Sequence, residues 1–202
     1  MKITQNPYIN KPKLPKNINK SEIPSQLNYS CDISNGYIQS KNLVLFNGVS
    51  EEMDCGGNST FEYAYFLLSN PKKSSVNIYV KNSIITNLSS NPVVSRIYYC
   101  VEDIIGNLES SKNITITNSN SNGSMPMGKI FFGNDIDKIF GIYGQNLIIS
   151  PYNTFISNEN GGIVISPGFS YLFEISSVNK EITANFVISF SWWEEPISSL
   201  LD

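Results

Sequence analysis

Apolar and polar residues alternate with a period of two along most of the chain beyond about residue 40. In LLSNPKKSSVNIYV (67–80), Val76, Ile78 and Val80 fall on one side, while Asn77, Tyr79 and the following Lys81 fall on the other. That is the period of a half-buried strand, and Asn70-Pro71 before small and charged residues is a turn signal. Phe61, Tyr63, Tyr65 and Leu67 share a face on the same reading, as do Tyr171, Phe173 and Ile175, and Phe186, Ile188, Phe190 and Trp192. Strands are predicted over 42–46, 60–69, 76–86, 93–101, 112–117, 128–132, 138–143, 145–149, 161–166, 169–177 and 182–193. The gaps hold Asn-Gly, Gly-Gly-Asn, Ser-Asn-Gly-Ser or Pro-Gly, which supply a positive φ or a preset bend. No segment carries an apolar stripe at helical spacing. Many short strands so punctuated predict an all-β fold, an antiparallel β-sandwich of jelly-roll-like form.

Residues 1–27 break this pattern. Prolines at 7, 12, 15 and 24 are interleaved with Lys2, Lys11, Lys13, Lys16 and Lys20, and the segment has too few apolar groups for a core. It is expected to be an extended N-terminal arm that anchors the protein to a partner, leaving 28–202 as a single sandwich domain. Tyr8, Ile9, Leu14 and Ile18 are spaced to enter grooves of that partner, with Lys11, Lys13 and Lys16 meeting its polar or acidic surface.

Composition narrows the chemistry. A chain of 202 residues with 41% hydrophobic residues can bury one sizeable core. Net charge is −3, so no strong field would recruit nucleic acid or an anionic membrane. No run is long and apolar enough for a membrane helix, and the first residues lack the apolar centre of a signal peptide. Histidine is absent, which removes the commonest general base and metal ligand. Cys31, Cys55 and Cys100 have no zinc-like spacing, and Cys100, ending an alternating run, reads as a small core residue. Free thiols made in a reducing cytoplasm are expected, and no cofactor is.

Three acidic clusters remain. Glu51, Glu52 and Asp54 precede two glycines; Asp135 and Asp137 lie in FGNDIDKIFG; Glu194 and Glu195 follow two tryptophans. Asp135 and Asp137 form a weak calcium candidate, read as a loop without EF-hand spacing. Glu194 and Glu195, adjacent on a strand, point to opposite faces and do not make a glycosidase pair. Trp192 continues the Phe186–Ile188–Phe190 face inward. Trp193 must then point outward, and with Tyr79 and Tyr99 it is a candidate for a subunit interface or for stacking on a sugar.

Four stretches, YFLLSNPKKSSVNIYV, PYNTFIS, GGIVISPGFSYLFEIS and FVISFSWWEE, together resemble a class of tailed-bacteriophage virion proteins. The resemblance spans most of residues 40–195 and not the arm. It implies a β-sandwich structural component on the outside of a head or tail, without catalysis. The leading expectation is therefore a non-enzymatic virion protein, a capsid decoration or head-fibre component. It would be made in the host cytoplasm, carried on the virion by its arm, and bound to other virion proteins as a dimer or trimer. The alternative is a carbohydrate- or receptor-binding module of a tail tip or spore surface; a hydrolase using carboxylates alone is a third. A binding module should show clustered aromatics in a concave site, whereas a decoration protein should hide them against its own copies.

Overall fold

The computed structural model describes residues 43–102, 105–116 and 125–197. They form twelve strands and no helix: β1 (Leu45–Val49), β2 (Met53–Cys55), β3 (Tyr63–Ser69), β4 (Val76–Asn87), β5 (Val93–Val101) and β6 (Ile105–Ser110), followed by β7 (Ile114–Ile116), β8 (Lys129–Lys138), β9 (Ile142–Ile149), β10 (Thr154–Ile165), β11 (Ser170–Ser177) and β12 (Ala184–Pro196). Sheet A runs β10-β4-β12-β1-β7, with β2 also on β12, and sheet B runs β6-β8-β3-β11-β5-β9. Every pairing is antiparallel. Setting β6–β8 aside leaves two four-stranded sheets, β1-β12-β4-β10 facing β3-β11-β5-β9. Strands enter these sheets in the alternation of a jelly roll. The predicted all-β antiparallel sandwich is the fold.

β1 and β2 pair with successive parts of β12 and are one strand interrupted at residues 50–52. At the break the Ser50 N–H donates to Ile188 O (2.8 Å), and the Ile188 N–H donates to Ser50 Oγ (3.0 Å). A hydroxyl thus stands in for the missing ladder carbonyl.

The sheets meet on rings. Phe190 of sheet A lies 5.1 Å from Phe66, 5.2 Å from Phe173 and 5.4 Å from Tyr171, all of sheet B. All four are fully buried, so the largest apolar groups are spent at the centre. At one end the two predicted turns dock: Gly168 N–H donates to Asn70 O, and Asn70 N–H to Phe169 O. Asn70 Nδ2 donates to Val76 O and Ile165 O, each at 2.8 Å, tying both turns to sheet A.

Several boundaries differ from the sequence reading. The strand expected at 42–46 starts at Leu45; the segment expected at 138–143 is split between the end of β8 and the start of β9, and its second part joins 145–149 in the one strand β9. β10 begins at Thr154 rather than at 161, because a register shift between Asn158 and Ile163 absorbs the polar NENGG. β2 and β6 were not foreseen. Cys100 is exposed rather than core: it sits at φ 48° where β5 shifts register against β11, which turns its side chain out. Of the face read at 61–67, Tyr63, Tyr65 and Leu67 lie on the outer side of sheet B, while Ala64, Phe66 and Leu68 fill the interior.

Candidate functional site

The insertion between β5 and β9 makes the site. β8 and β9 are separated in sheet B by β3, β11 and β5, a flat-sheet span of about 19 Å. Only residues 139–141 connect them, a reach of at most about 14 Å. The same conflict holds for β5 and β6, joined through 102–104. Both are resolved in one way. The sheet curls, and β6 with the second half of β8 crosses its outer face as a two-stranded ribbon. Glu102 N–H donates to Phe140 O (2.9 Å), which ties the ribbon's end back to β5. Beneath it Leu67, Leu172, Val101 and Tyr65 form a second buried cluster, packed against Leu108, Phe131, Ile136 and Ile139.

Beside the ribbon the outer face of sheet B is aromatic. Register places Tyr65, Glu174 and Arg96 in one cross-strand row, with Leu67, Leu172, Tyr98 and Tyr143 in the next. Tyr98 and Tyr143 meet edge to face at 5.7 Å, and Tyr63 lies 6.5 Å from Tyr65. Arg96 forms an ion pair with Glu174 and sits 5.6 Å over the Tyr63 ring. The Glu174 side chain is 9% exposed and that of Arg96 36%. Hydrogen bonding to Glu174 raises the Arg96 pKa, so the guanidinium stays charged. Burial, then the Glu174 charge, raises the Tyr65 and Tyr98 phenols, so both stay protonated donors. At the rim, Lys180 is paired with Glu62, which its hydrogen bond holds below the usual carboxylate range. On the ribbon's other flank lies a cleft of about 320 Å³, bounded by Leu67, Leu108 and Phe131 and by Lys72 and Glu102. The arrangement offers flat ring faces, phenolic hydroxyls and a fixed charged fork. It can stack on and hydrogen-bond a polar ligand.

The residues singled out from sequence fall elsewhere, and of Tyr79, Tyr99 and Trp193 only Tyr79 and Trp193 meet. Trp193 points outward on sheet A as expected, yet its own chain covers it, leaving 3% exposed. It stacks on Tyr79 at 5.4 Å and 10°, and Gly161 closes over it. A Cβ at Gly161 (φ +83°) would lie 2.5 Å from the indole, so only glycine allows the cover. Tyr99 points inward and stacks on Tyr171 at 5.5 Å, beside an inter-sheet cleft of about 430 Å³. Asp135 and Asp137 lie on β8, a strand and not a loop, and Asp137 is exposed. Among the described residues no group of His, Cys, Asp and Glu is placed to hold a metal ion. Glu194 accepts from the Met127 and Gly128 N–H groups and from Trp192 Nε1; Glu195 accepts from Trp193 Nε1. The arm residues Tyr8, Ile9, Lys11, Lys13, Leu14, Lys16 and Ile18, and Cys31, lie outside the described residues. Sequence reasoning missed the tyrosine face. Its signal was one charge each in two otherwise uncharged strands, Glu174 in SYLFEISS and Arg96 in VVSRIYYCV.

Fold and site together define a jelly-roll β-sandwich whose second face is roofed by an inserted ribbon. The chain belongs to DUF6143, a family of unknown function whose profile matches residues 17–199. No curated protein matches it. Among solved structures it is similar to the crystal structure of Yersinia pseudotuberculosis-derived mitogen (YPM), at 12% identity and a TM-score of 0.28, covering 76% of this chain and 91% of that one. The fold assignment rests on strand order and pairing alone.

Proposed function

We infer that the protein is a non-catalytic binding module that takes a carbohydrate on the outer face of sheet B. The observation that carries this is the group of Tyr63, Tyr65, Tyr98 and Tyr143 around the Arg96–Glu174 pair, on a face where a sandwich ordinarily meets water with polar side chains. Sugar rings present an apolar face of C–H groups that stacks on tyrosine, and a hydroxyl fringe that a guanidinium and a carboxylate bind together. Glu174 is tied to Arg96, and no second carboxylate shares its cross-strand row, so the two-carboxylate geometry of glycoside hydrolysis is not what this face offers. Of the two marks expected of a binding module, clustered aromatics and a concave site, the clustering is what supports this reading. Display on a virion through residues 1–27 is compatible with this role, while the tyrosine face favours recognition over architecture alone.

The test is affinity electrophoresis of the full chain against immobilised glucan, galactan, mannan, xylan and chitin. At least one polysaccharide should retard the protein, and Tyr98→Ala or Tyr143→Ala should weaken the retardation tenfold or more. Met125→Ala, on the exposed connection leading into β8, should leave it unchanged. Equal retardation of wild type and both site variants would place binding elsewhere, and no retardation by any of the five would remove the carbohydrate reading.

A further inference from the structure

We propose that the cleft between β5 and β10 is a second binding site, taking one small, neutral, largely apolar molecule that carries a hydrogen-bond acceptor. The cleft lies between the sheets, whereas the tyrosine face lies outside them, and the inference is independent of the carbohydrate reading.

Three register shifts surround this part of the sandwich. β10 shifts between Asn158 and Ile163, β5 shifts against β11 at Tyr99 and Cys100, and β9 shifts against β5 at Gly144. A bulge bends its strand, and the two sheets part where the bent strands line a common space. Tyr99 and Cys100 form one wall, residues 162–166 the other, and Phe169, Ser170 and Tyr171 join them. Of the three non-glycine residues at positive φ among those described, two sit at these shifts: Cys100 (48°) and Asn160 (49°). Backbone held in that region is strained, and such strain gathers at sites that bind. The enclosed space is about 430 Å³. That lies within the range of about 300–1,000 Å³ that single small molecules occupy.

The lining selects the ligand. Ile163, Ile165, Phe169 and the stacked rings of Tyr99 and Tyr171 supply apolar surface, and no lining residue is charged. Burial, then the Glu159 charge, raises both phenols, so they stay protonated and the field reaching them is negative. An anion is disfavoured on both counts. Tyr171 is 1% exposed, and its hydroxyl is buried without a hydrogen-bond partner. Ser83 Oγ approaches it without a bonding geometry and is itself unpartnered. Buried hydroxyls are ordinarily paired, and a protonated phenol lacks only an acceptor. A carbonyl oxygen at the inner end of a bound ring compound would supply one. The half-buried Tyr99 ring, stacked on Tyr171, is the side chain that would shift to admit it.

The probe is prodan, a neutral naphthyl ketone whose emission moves to the blue in apolar surroundings. Fluorescence titration of the full chain should show saturable binding of one prodan per chain. Cys100 is exposed at the cleft, so in a Cys31→Ser background prodan at ten times its Kd should slow iodoacetamide modification of Cys100 about tenfold. Tyr171→Phe removes only the hydroxyl and should weaken binding about tenfold. Ile163→Trp fills the cleft and should abolish binding while the melting curve keeps a single cooperative transition. Naphthalene sulfonate, an anion on the same ring system, should not displace the probe. Absence of saturable binding overturns the proposal. Binding that leaves the Cys100 rate unchanged places the probe elsewhere and overturns it as well. Equal affinity in wild type and Tyr171→Phe, or displacement by the sulfonate at similar concentration, overturns the ligand class and the proposal with it.

Discussion

Replacing the Arg96–Glu174 pair one partner at a time, and then both together, separates what the pair does for the fold from what it does for recognition. The Glu174 side chain is 9% exposed, between Tyr65 and Arg96 in its row. Arg96→Met would leave that carboxylate buried without a cation. Removing one partner of a fully buried pair costs about 3–5 kcal/mol, and since Arg96 is itself 36% exposed, water would enter and reduce this to about 2–3 kcal/mol. Glu174→Leu is milder at about 1 kcal/mol, because the guanidinium can turn its tip to solvent. The double variant Arg96→Met/Glu174→Leu removes both desolvated charges and should return to within about 1 kcal/mol of wild type, a coupling of roughly 2 kcal/mol. For a chain of this size that is a fall in Tm of roughly 5–10 °C for Arg96→Met and nearly none for the double variant. Urea titration and calorimetry on the three variants give the cycle, and the affinity gel reads recognition in parallel. If the pair serves the ligand, the double variant is stable and no longer retarded. A Tm for Arg96→Met within 1–2 °C (about half a kcal/mol) of wild type would refute the burial argument. A double variant that is retarded normally would refute the functional one.

Other outcomes follow from the core, the ionisable groups and the thiols. Phe190→Ala removes the ring that three others contact, and should cost about 3–5 kcal/mol by urea unfolding. Gly161→Ala forces a Cβ onto the Trp193 indole at a positive φ, and should cost about 1–3 kcal/mol and red-shift the tryptophan emission as the ring loses its cover. With no histidine in the chain, Tm should be flat between about pH 6 and 8. Above that range it should fall, because burial pushes the Cys55 thiol from 9.0 to about 11 and raises the Tyr171, Tyr65, Tyr98 and Tyr99 phenols. The sign is fixed by proton binding: the folded state holds these protons more tightly, so stability is complete below the unfolded pKa values and is lost as pH rises through the folded ones. A Tm that rises with alkali would contradict this. In a Cys31→Ser background, Cys100 should react with a thiol reagent in the native protein and Cys55 only after unfolding, and equal native rates would contradict their placement.

Much of the sandwich was legible because most of its strands bury one face. The alternation in 76–86 and 182–193 falls on β4 and β12, and the Asn-Pro and Pro-Gly turns lie where those dipeptides put them. β3 and β11 were legible as strands and illegible in orientation. Both faces of YAYFLLS and SYLFEISS are apolar, and a period of two says that faces alternate, not which one meets the opposite sheet. β6 and the second half of β8 gave no signal, since IGNLES and NDIDK are strands only because they pair with each other across the curled sheet. The cover over Trp193 depends on the backbone of a register shift coming close, which composition does not encode.

The charges carry the argument furthest. Arg96 and Glu174 are the only charged residues in β3, β11 and β5, the three central strands of the curled sheet, and register sets them side by side. Packing gives no reason for them there, because a well-packed apolar pair holds such a position as well or better. Ordinary surface charge gives none either, because Glu174 is nearly enclosed. What the pair adds is a polar fork held among the rings of Tyr63, Tyr65, Tyr98 and Tyr143 on the outer face of sheet B. On the function proposed above, that fork is the group a polar ligand stacked on the rings would meet.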